Sequence, residues 1–394
     1  LEQEDQNFTT GITVNENLGG KNSDRYQYTL PYYSLSKNLT SILPENSFFG
    51  SLNFSSDGSN NLKNTNNLVS QISNNLNYSS PDFISSLGFK SNLNLYLKNT
   101  NTIGKNDSTY NSDPQIDGSS ILVFDNTIPL IKYNDTSLET ITPRISFRVN
   151  PGNNMNDQSG TSRNVSLGNV FALDRLGISE YEAGRSLTLG LGYKFDPLEN
   201  FQDDDAKDKF IEFSLATVLR DQIESEIPST STINRKTSNL FGSIQNNLFD
   251  NVNLFYEFSL DNDLETINSN NIITEISINN FITTFNFIES RNELGSTHLI
   301  SNTTEYKVND STSLTFSTRR NKKINLTEYY NLSYEYKNDC LTAALKFNKT
   351  FYQDKDLVPT EDLFFSITLI PLTTYEREIY KKVPGTSGLK GWFR

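Results

Sequence analysis

The sequence predicts an all-β protein, a large antiparallel transmembrane β-barrel of the outer-membrane type, and three observations predict it. Apolar and polar residues alternate with period two from one end of the chain to the other, which places one set of side chains on each face of a sheet. The alternating segments run to roughly 8 to 11 residues, the length a tilted strand needs to cross a bilayer. No apolar run approaches the roughly 18 to 20 residues of a membrane helix, so any crossing falls to strands, which satisfy their backbone in lipid only by closing into a barrel.

The segments follow in order. Leu87, Phe89, Leu93, Leu95 and Leu97 alternate near the start. Between Ser186 and Phe195, Leu187, Leu189, Leu191, Tyr193 and Phe195 stand against Thr188, Gly190, Gly192 and Lys194. Val252, Leu254, Tyr256, Phe258 and Leu260 repeat the pattern, as do Tyr330, Leu332, Tyr334 and Tyr336, then Leu341, Ala343, Leu345 and Phe347. Roughly 16 to 20 such strands are expected, joined by Asn, Asp, Gly, Ser and Pro. Long polar connections are expected over 98–119, 150–169, 196–209 and 221–236, and a short one over 248–252. The Asn/Ser/Thr-rich stretch 55–75 is expected to be disordered in its loop part at most. Tyrosine and phenylalanine near segment ends (Tyr32, Tyr33, Tyr329, Tyr330, Phe351) suit a membrane-interface girdle.

The bulk numbers agree. Only 35% of the 394 residues are hydrophobic, thin for a soluble core and ordinary for a barrel, where every second residue faces lipid. A net charge of -13 argues against a nucleic-acid partner, which needs clustered Lys and Arg. One cysteine and one histidine exclude an internal disulfide and a Cys/His metal site, and no motif calls for a cofactor. His298 lies near Ser296 and Ser301, yet nothing marks an orienting partner, so no catalytic residue is assigned and the chain is not read as an enzyme. Asp203, Asp204, Asp205 and Asp208 lack the spacing of a calcium loop and read as a solvated loop.

Leu1 carries neither an initiator Met nor a signal peptide, so the chain is expected to begin some strands into the barrel. Its two unpaired edges are then expected to prevent a native closed pore from forming alone. Residues 1–371 are read as the partial barrel. Residues 372–394, where alternation fades, are read as a C-terminal periplasmic tail.

Two stretches are more specific. One spans Thr142 to Phe195 and contains PRISFRVNPGNNMN, NVFALDRLG and EYEAGRSLTLGLGYKF; the other spans Asn338 to Leu372 and reads NDCLTAALKFNKTFYQDKDLVPTEDLFFSITLIPL. Both resemble the C-terminal barrel of the lipopolysaccharide-assembly protein family of Gram-negative outer membranes. The resemblance implies insertion of lipopolysaccharide into the outer leaflet through a lateral gate, without covalent chemistry. It implies as partners lipopolysaccharide, outer-membrane lipid, a plug lipoprotein in the lumen and a periplasmic transport bridge reached through a missing N-terminal domain. It makes Cys340 a candidate for an interdomain disulfide; the plain alternative is a small buried or lipid-facing residue. It makes the strand Asp362–Ile370, with Leu363, Phe365, Ile367 and Leu369, the last strand and one edge of the gate. Asp174 and Arg175 match a long-loop motif and would anchor that loop. Arg144 and Arg148 alternate with Ile145, Phe147 and Val149, so both guanidiniums point inward, either to lipopolysaccharide phosphate or the plug, or to luminal carboxylates. The alternatives are a porin or substrate-specific channel, which would carry a constriction loop, and a β-rich adhesin, which would lack a lipid-facing band.

Overall fold

The computed structural model describes all residues except 1, 4, 17–25, 43–49, 64–65, 153–163, 177–181, 198–208, 226, 228, 293–294, 352–357, 371–372 and 383–394. The fold is all-β and antiparallel, of the outer-membrane barrel type, with no α-helix among the described residues. The chain divides into two compact units, one of Leu1–Leu130, Ile141–Leu191 and Ala216–Asn239, the other of Ile131–Thr140, Gly192–Leu215 and Leu240–Arg394. The first strands are β1 (Glu2–Gln3), β2 (Gln6–Glu16), β3 (Tyr26–Asn38), β4 (Ser51–Lys63), β5 (Asn67–Ser79), β6 (Phe83–Ile84), β7 (Lys90–Lys105) and β8 (Gln115–Thr127). Next come β9 (Leu130–Tyr133), β10 (Ser137–Asn150), β11 (Gly184–Pro197) and β12 (Ile211–Arg220). The remainder are β13 (Leu240–Phe249), β14 (Val252–Leu260), β15 (Ile267–Ile278), β16 (Phe281–Asn292), β17 (Gly295–Asn309), β18 (Thr312–Asn321), β19 (Leu326–Lys337), β20 (Leu341–Thr350), β21 (Glu361–Leu369) and β22 (Thr373–Lys382).

In the first unit, registry sorts the side chains by polarity. Leu93 lies opposite Phe124, and Phe124 opposite Phe147. This row stays uncovered: Phe124 is 43% exposed and Phe147 42%. The other face of the same strands carries Lys98, Ser119, Ser146 and Arg148, and these are buried. Among the described residues of the whole chain, buried polar residues outnumber buried hydrophobic ones by 22 to 12. A water-soluble fold reverses that order. A continuous apolar face with no protein over it is the face that an outer-membrane barrel turns to lipid.

The second unit repeats the sorting. Leu314 faces Tyr334, which faces Leu345, which faces Phe365, and these side chains are exposed. Connections at one end are all short, at 250–251, 279–280, 310–311 and 338–340; the other end has the longer 261–266, 322–325 and 351–360 beside the two-residue 293–294. The two-residue turn 279–280 works because Asn279 adopts φ 50°, a left-handed conformation that Asn tolerates better than most residues. Short turns on one rim and longer loops on the other are the outer-membrane barrel pattern.

Two expectations are corrected. The connection expected over 98–119 is mostly strand, because β7 continues to Lys105 and β8 starts at Gln115. Its Asn and Thr residues are polar on both faces, which hides the alternation. The stretch 55–75 is largely the β4–β5 hairpin, paired from Ser51↔Ser79 to Lys63↔Asn67, and residues 64–65 of the loop to which the expected disorder is confined lie outside the described residues. Residues 373–382 form a strand rather than a tail: β22 pairs with β21 from Leu369↔Thr373 to Glu361↔Lys382, so Leu363, Phe365, Ile367 and Leu369 lie on a strand flanked on both sides, not on the last one.

Candidate functional site

The connection between β10 and β11 folds back onto the polar face of the first unit. Residues 164–176 form a series of turns, and Val165, Val170 and Leu176 are buried. Leu173 packs against Ile121 and Val123, apolar residues that β8 places on the otherwise polar face. Phe171 lies under the Arg144 guanidinium, 4.0 Å from the ring centroid. Its ring also covers Gly190, where a Cβ would come within 2.6 Å of Cζ. That close approach explains why β11 carries no side chain there.

Three buried arginines hold the segment. Arg148 Nη2 donates to the Phe171 and Ala172 carbonyls, both at 2.7 Å. Arg175 is fully buried and uses its whole fork: Nε donates to Glu182 Oε2 at 2.6 Å, Nη1 to the Val170 carbonyl at 2.8 Å and to Thr188 Oγ1 at 2.9 Å, and Nη2 to Ser186 Oγ at 2.9 Å and to Glu182 Oε1. Arg220 arrives from β12, with Nη1 donating to the Ala183 carbonyl at 2.9 Å and Nη2 2.9 Å from Glu182 Oε1, an ion pair not aligned as a hydrogen bond. Asn150 adds a neutral tie, donating to Ser119 Oγ at 3.0 Å and to the Glu182 carbonyl at 2.9 Å.

The charges do not cancel within this cluster, with three guanidiniums and one carboxylate. Main-chain carbonyls and the Ser186 and Thr188 hydroxyls supply further acceptors, so the backbone of the turn is itself a ligand of the arginines. Burial alone raises the proton affinity of the Glu182 carboxyl, but Arg175, then Arg148 and Arg220, outweigh it and hold the group well below the usual carboxylate range. Beside the cluster, Gly184 takes φ +80°, and a Cβ there would lie 2.3 Å from Glu224 Oε1. An open cleft of about 490 Å³ lies here, lined by Asn150, Gly152, Gly184, Arg185, Gln222 and Glu224.

The candidates read from sequence are dispersed. Arg144, Arg148 and Arg175 meet at the segment, and Arg144 lies 3.7 Å from Asp125. Asp174 precedes Arg175 in the turn and is half-buried. Cys340 is exposed in the turn after Asn338, whose Oδ1 accepts its N–H at 3.0 Å. His298 lies opposite Glu289 and edge-on to Phe287, while Ser301 falls on the other face of β17. Asp203, Asp204, Asp205 and Asp208 lie outside the described residues. Glu182, Ser186, Thr188 and Arg220 were not singled out from sequence. The available signal was Ser186 and Thr188 alternating with leucines, beginning four residues after an acidic position.

No protein-family profile matches the chain, and no curated protein does. Among solved structures, a ferric enterobactin receptor from Pseudomonas aeruginosa is 10% identical, covering 94% of this chain and 68% of its own at a TM-score of 0.40. The siderophore receptor PirA from Acinetobacter baumannii is 8% identical, covering 92% and 76% at 0.38, and the copper transporter OprC is 8% identical, covering 92% and 67% at 0.35. Likenesses at this level assign no ligand or partner. The resemblance to lipopolysaccharide-assembly proteins is corrected: no family profile supports it, and the solved structures found are siderophore and copper receptors. Lipopolysaccharide as cargo, the lateral gate, the plug lipoprotein and the transport bridge are withdrawn with it.

Proposed function

We propose that the chain is a substrate-specific outer-membrane channel whose aqueous path is narrowed by the folded segment between β10 and β11. The observation that carries this reading is the attachment of that segment by Arg148, Arg175 and Arg220. A loop that merely rested at a rim would not bury three guanidiniums against its own carbonyls. Burying charge costs several kcal/mol per ion unless every donor finds an acceptor, so the fold spends stability to keep this loop down. A loop fixed across a polar face restricts what moves along that face. The work proposed is selective passage of a solute, with no covalent step.

Single-channel recording in planar bilayers tests it. Wild-type protein is expected to give small, discrete conductance steps, an outcome that would also set aside the sequence-based expectation that unpaired strand edges keep the chain from closing a pore alone. Glu182→Gln, which leaves the three guanidiniums without their carboxylate, is expected to give larger and noisier steps. Discrete steps of unchanged size in the variant sink the constriction, and wild-type protein that inserts without conducting sinks the channel.

A further inference from the structure

The polar face of β2 to β5 is built from short, uncharged hydrogen-bonding side chains. Registry aligns Asn7, Ser36, Ser55 and Asn75 in one row across four strands. The adjoining row is Asn38, Asn53 and Asn77, and on the other side run Thr9, Ser34, Asp57 and Ser73. Asp57 is the only ionisable group in these three rows. The opposite face of the same strands carries Phe8, Leu35, Phe54 and Leu76, together with Ser56 and Asn74, which hydrogen-bond to one another at 2.7 Å.

A cleft of about 430 Å³ opens at the end of this field, lined by Asn7, Ser36, Asn53, Ser55 and Asn77, with Asp5 and Lys37 also contributing. Asn75 Nδ2 donates to Ser55 Oγ at 3.3 Å. The Asn77 amide oxygen is buried with no hydrogen-bond partner. A carboxamide offers two donors and an acceptor, and a serine hydroxyl one donor and two lone pairs. Such a surface can match a ligand that is itself a dense array of hydroxyls. The charge here is mixed, with Asp57 in the rows, Asp5 and Lys37 at the cleft and Lys98 beside Asn75 on β7, so neither sign of ionic ligand is favoured, and an apolar one would leave the amides unpaired at about 1–3 kcal/mol each.

We propose that this face and its cleft bind a neutral polyhydroxyl solute, a short uncharged oligosaccharide. The inference rests on the channel reading, which brings the face into contact with a permeating solute. Maltohexaose is the probe, with an oligogalacturonate of equal length as its charged counterpart. In bilayers, maltohexaose at millimolar concentration is expected to interrupt the current and oligogalacturonate is not. Saturation-transfer NMR on the full chain in detergent reads binding without conductance. Asn77→Leu is expected to weaken the maltohexaose signal by about tenfold. Conductance without saturation transfer to maltohexaose overturns this inference and leaves the channel standing. Saturation transfer without conductance supports the sugar site and overturns the channel. Equal binding of the charged hexamer overturns the claim of a neutral ligand, and the wild-type measurements decide it even where a variant fails to fold.

Discussion

In the first unit, Arg175 and Glu182 are taken out of water, 0% and 3% exposed, to hold a loop against a sheet. In the second, Lys349 and Glu361 pair at 3.4 Å across neighbouring strands while staying 40% and 31% exposed. Arg319 and Glu328 do the same at the β18–β19 turn. The two arrangements use the same residue types for different ends. The exposed pairs are screened by water, and among the described residues their cations meet, beyond each pair's own carboxylate, only neighbouring rings, Lys349 over Phe351 and Arg319 over Tyr329, both at 5.4 Å. The buried set binds carbonyls as well as a carboxylate, and its removal releases a segment. The difference separates ion pairs that ornament a strand end from those that fix a loop.

The comparison can be broken from its strongest side. Glu182→Gln is expected to destabilise the segment by about 3–5 kcal/mol, since it leaves three guanidiniums without their shared carboxylate. Hydrogen exchange over 164–176 reads the effect, and unchanged protection there removes the latch. Phe147→Arg, on the exposed apolar face, is expected to cost about 2–4 kcal/mol in lipid vesicles by urea unfolding. A cost near zero would falsify the assignment of that face to lipid. Gly184→Ala is expected to cost about 1–3 kcal/mol, from its positive φ and its approach to Glu224. Lys349→Ala is expected to cost less than about 1 kcal/mol by the same unfolding assay. A larger loss would erase the contrast between the units.

Acid sharpens it further. The Glu182 carboxyl is held below its ordinary range, so its contribution is complete above the unfolded value near 4.5 and fades only as pH falls through the lowered folded value. Protection of 164–176 is expected to be flat from neutral pH to about pH 5 and to decline only in stronger acid. Loss of protection between pH 7 and 5 contradicts the carboxylate as the hub.

The fold was legible because lipid imposes a strict rule on every second residue. Val252 to Leu260 and Leu341 to Phe347 could be placed without any knowledge of their neighbours. The strand Thr373–Lys382 escaped because it is almost wholly exposed and rich in Glu, Arg and Lys; its main-chain bonds to β21 hold it, and these leave no trace in side-chain type. The site was half legible. Arg148 and Arg175 stood out as charges in otherwise regular stretches. Glu182 and Arg220 did not, because a polar residue on the polar face of a strand looks the same whether a loop covers it or water does.

The latch is also short-range along the chain. Arg175 reaches Val170, Glu182, Ser186 and Thr188 over separations of 5, 7, 11 and 13 residues, whereas Arg148 and Arg220 bridge 23 to 37. Contacts so near in sequence close with little loss of chain entropy and form early. The segment is thus expected to order locally before Arg148 and Arg220 clip it in place, and pulse-labelled hydrogen exchange during refolding, with protection over 164–176 appearing before that of β10 and β12, checks that order.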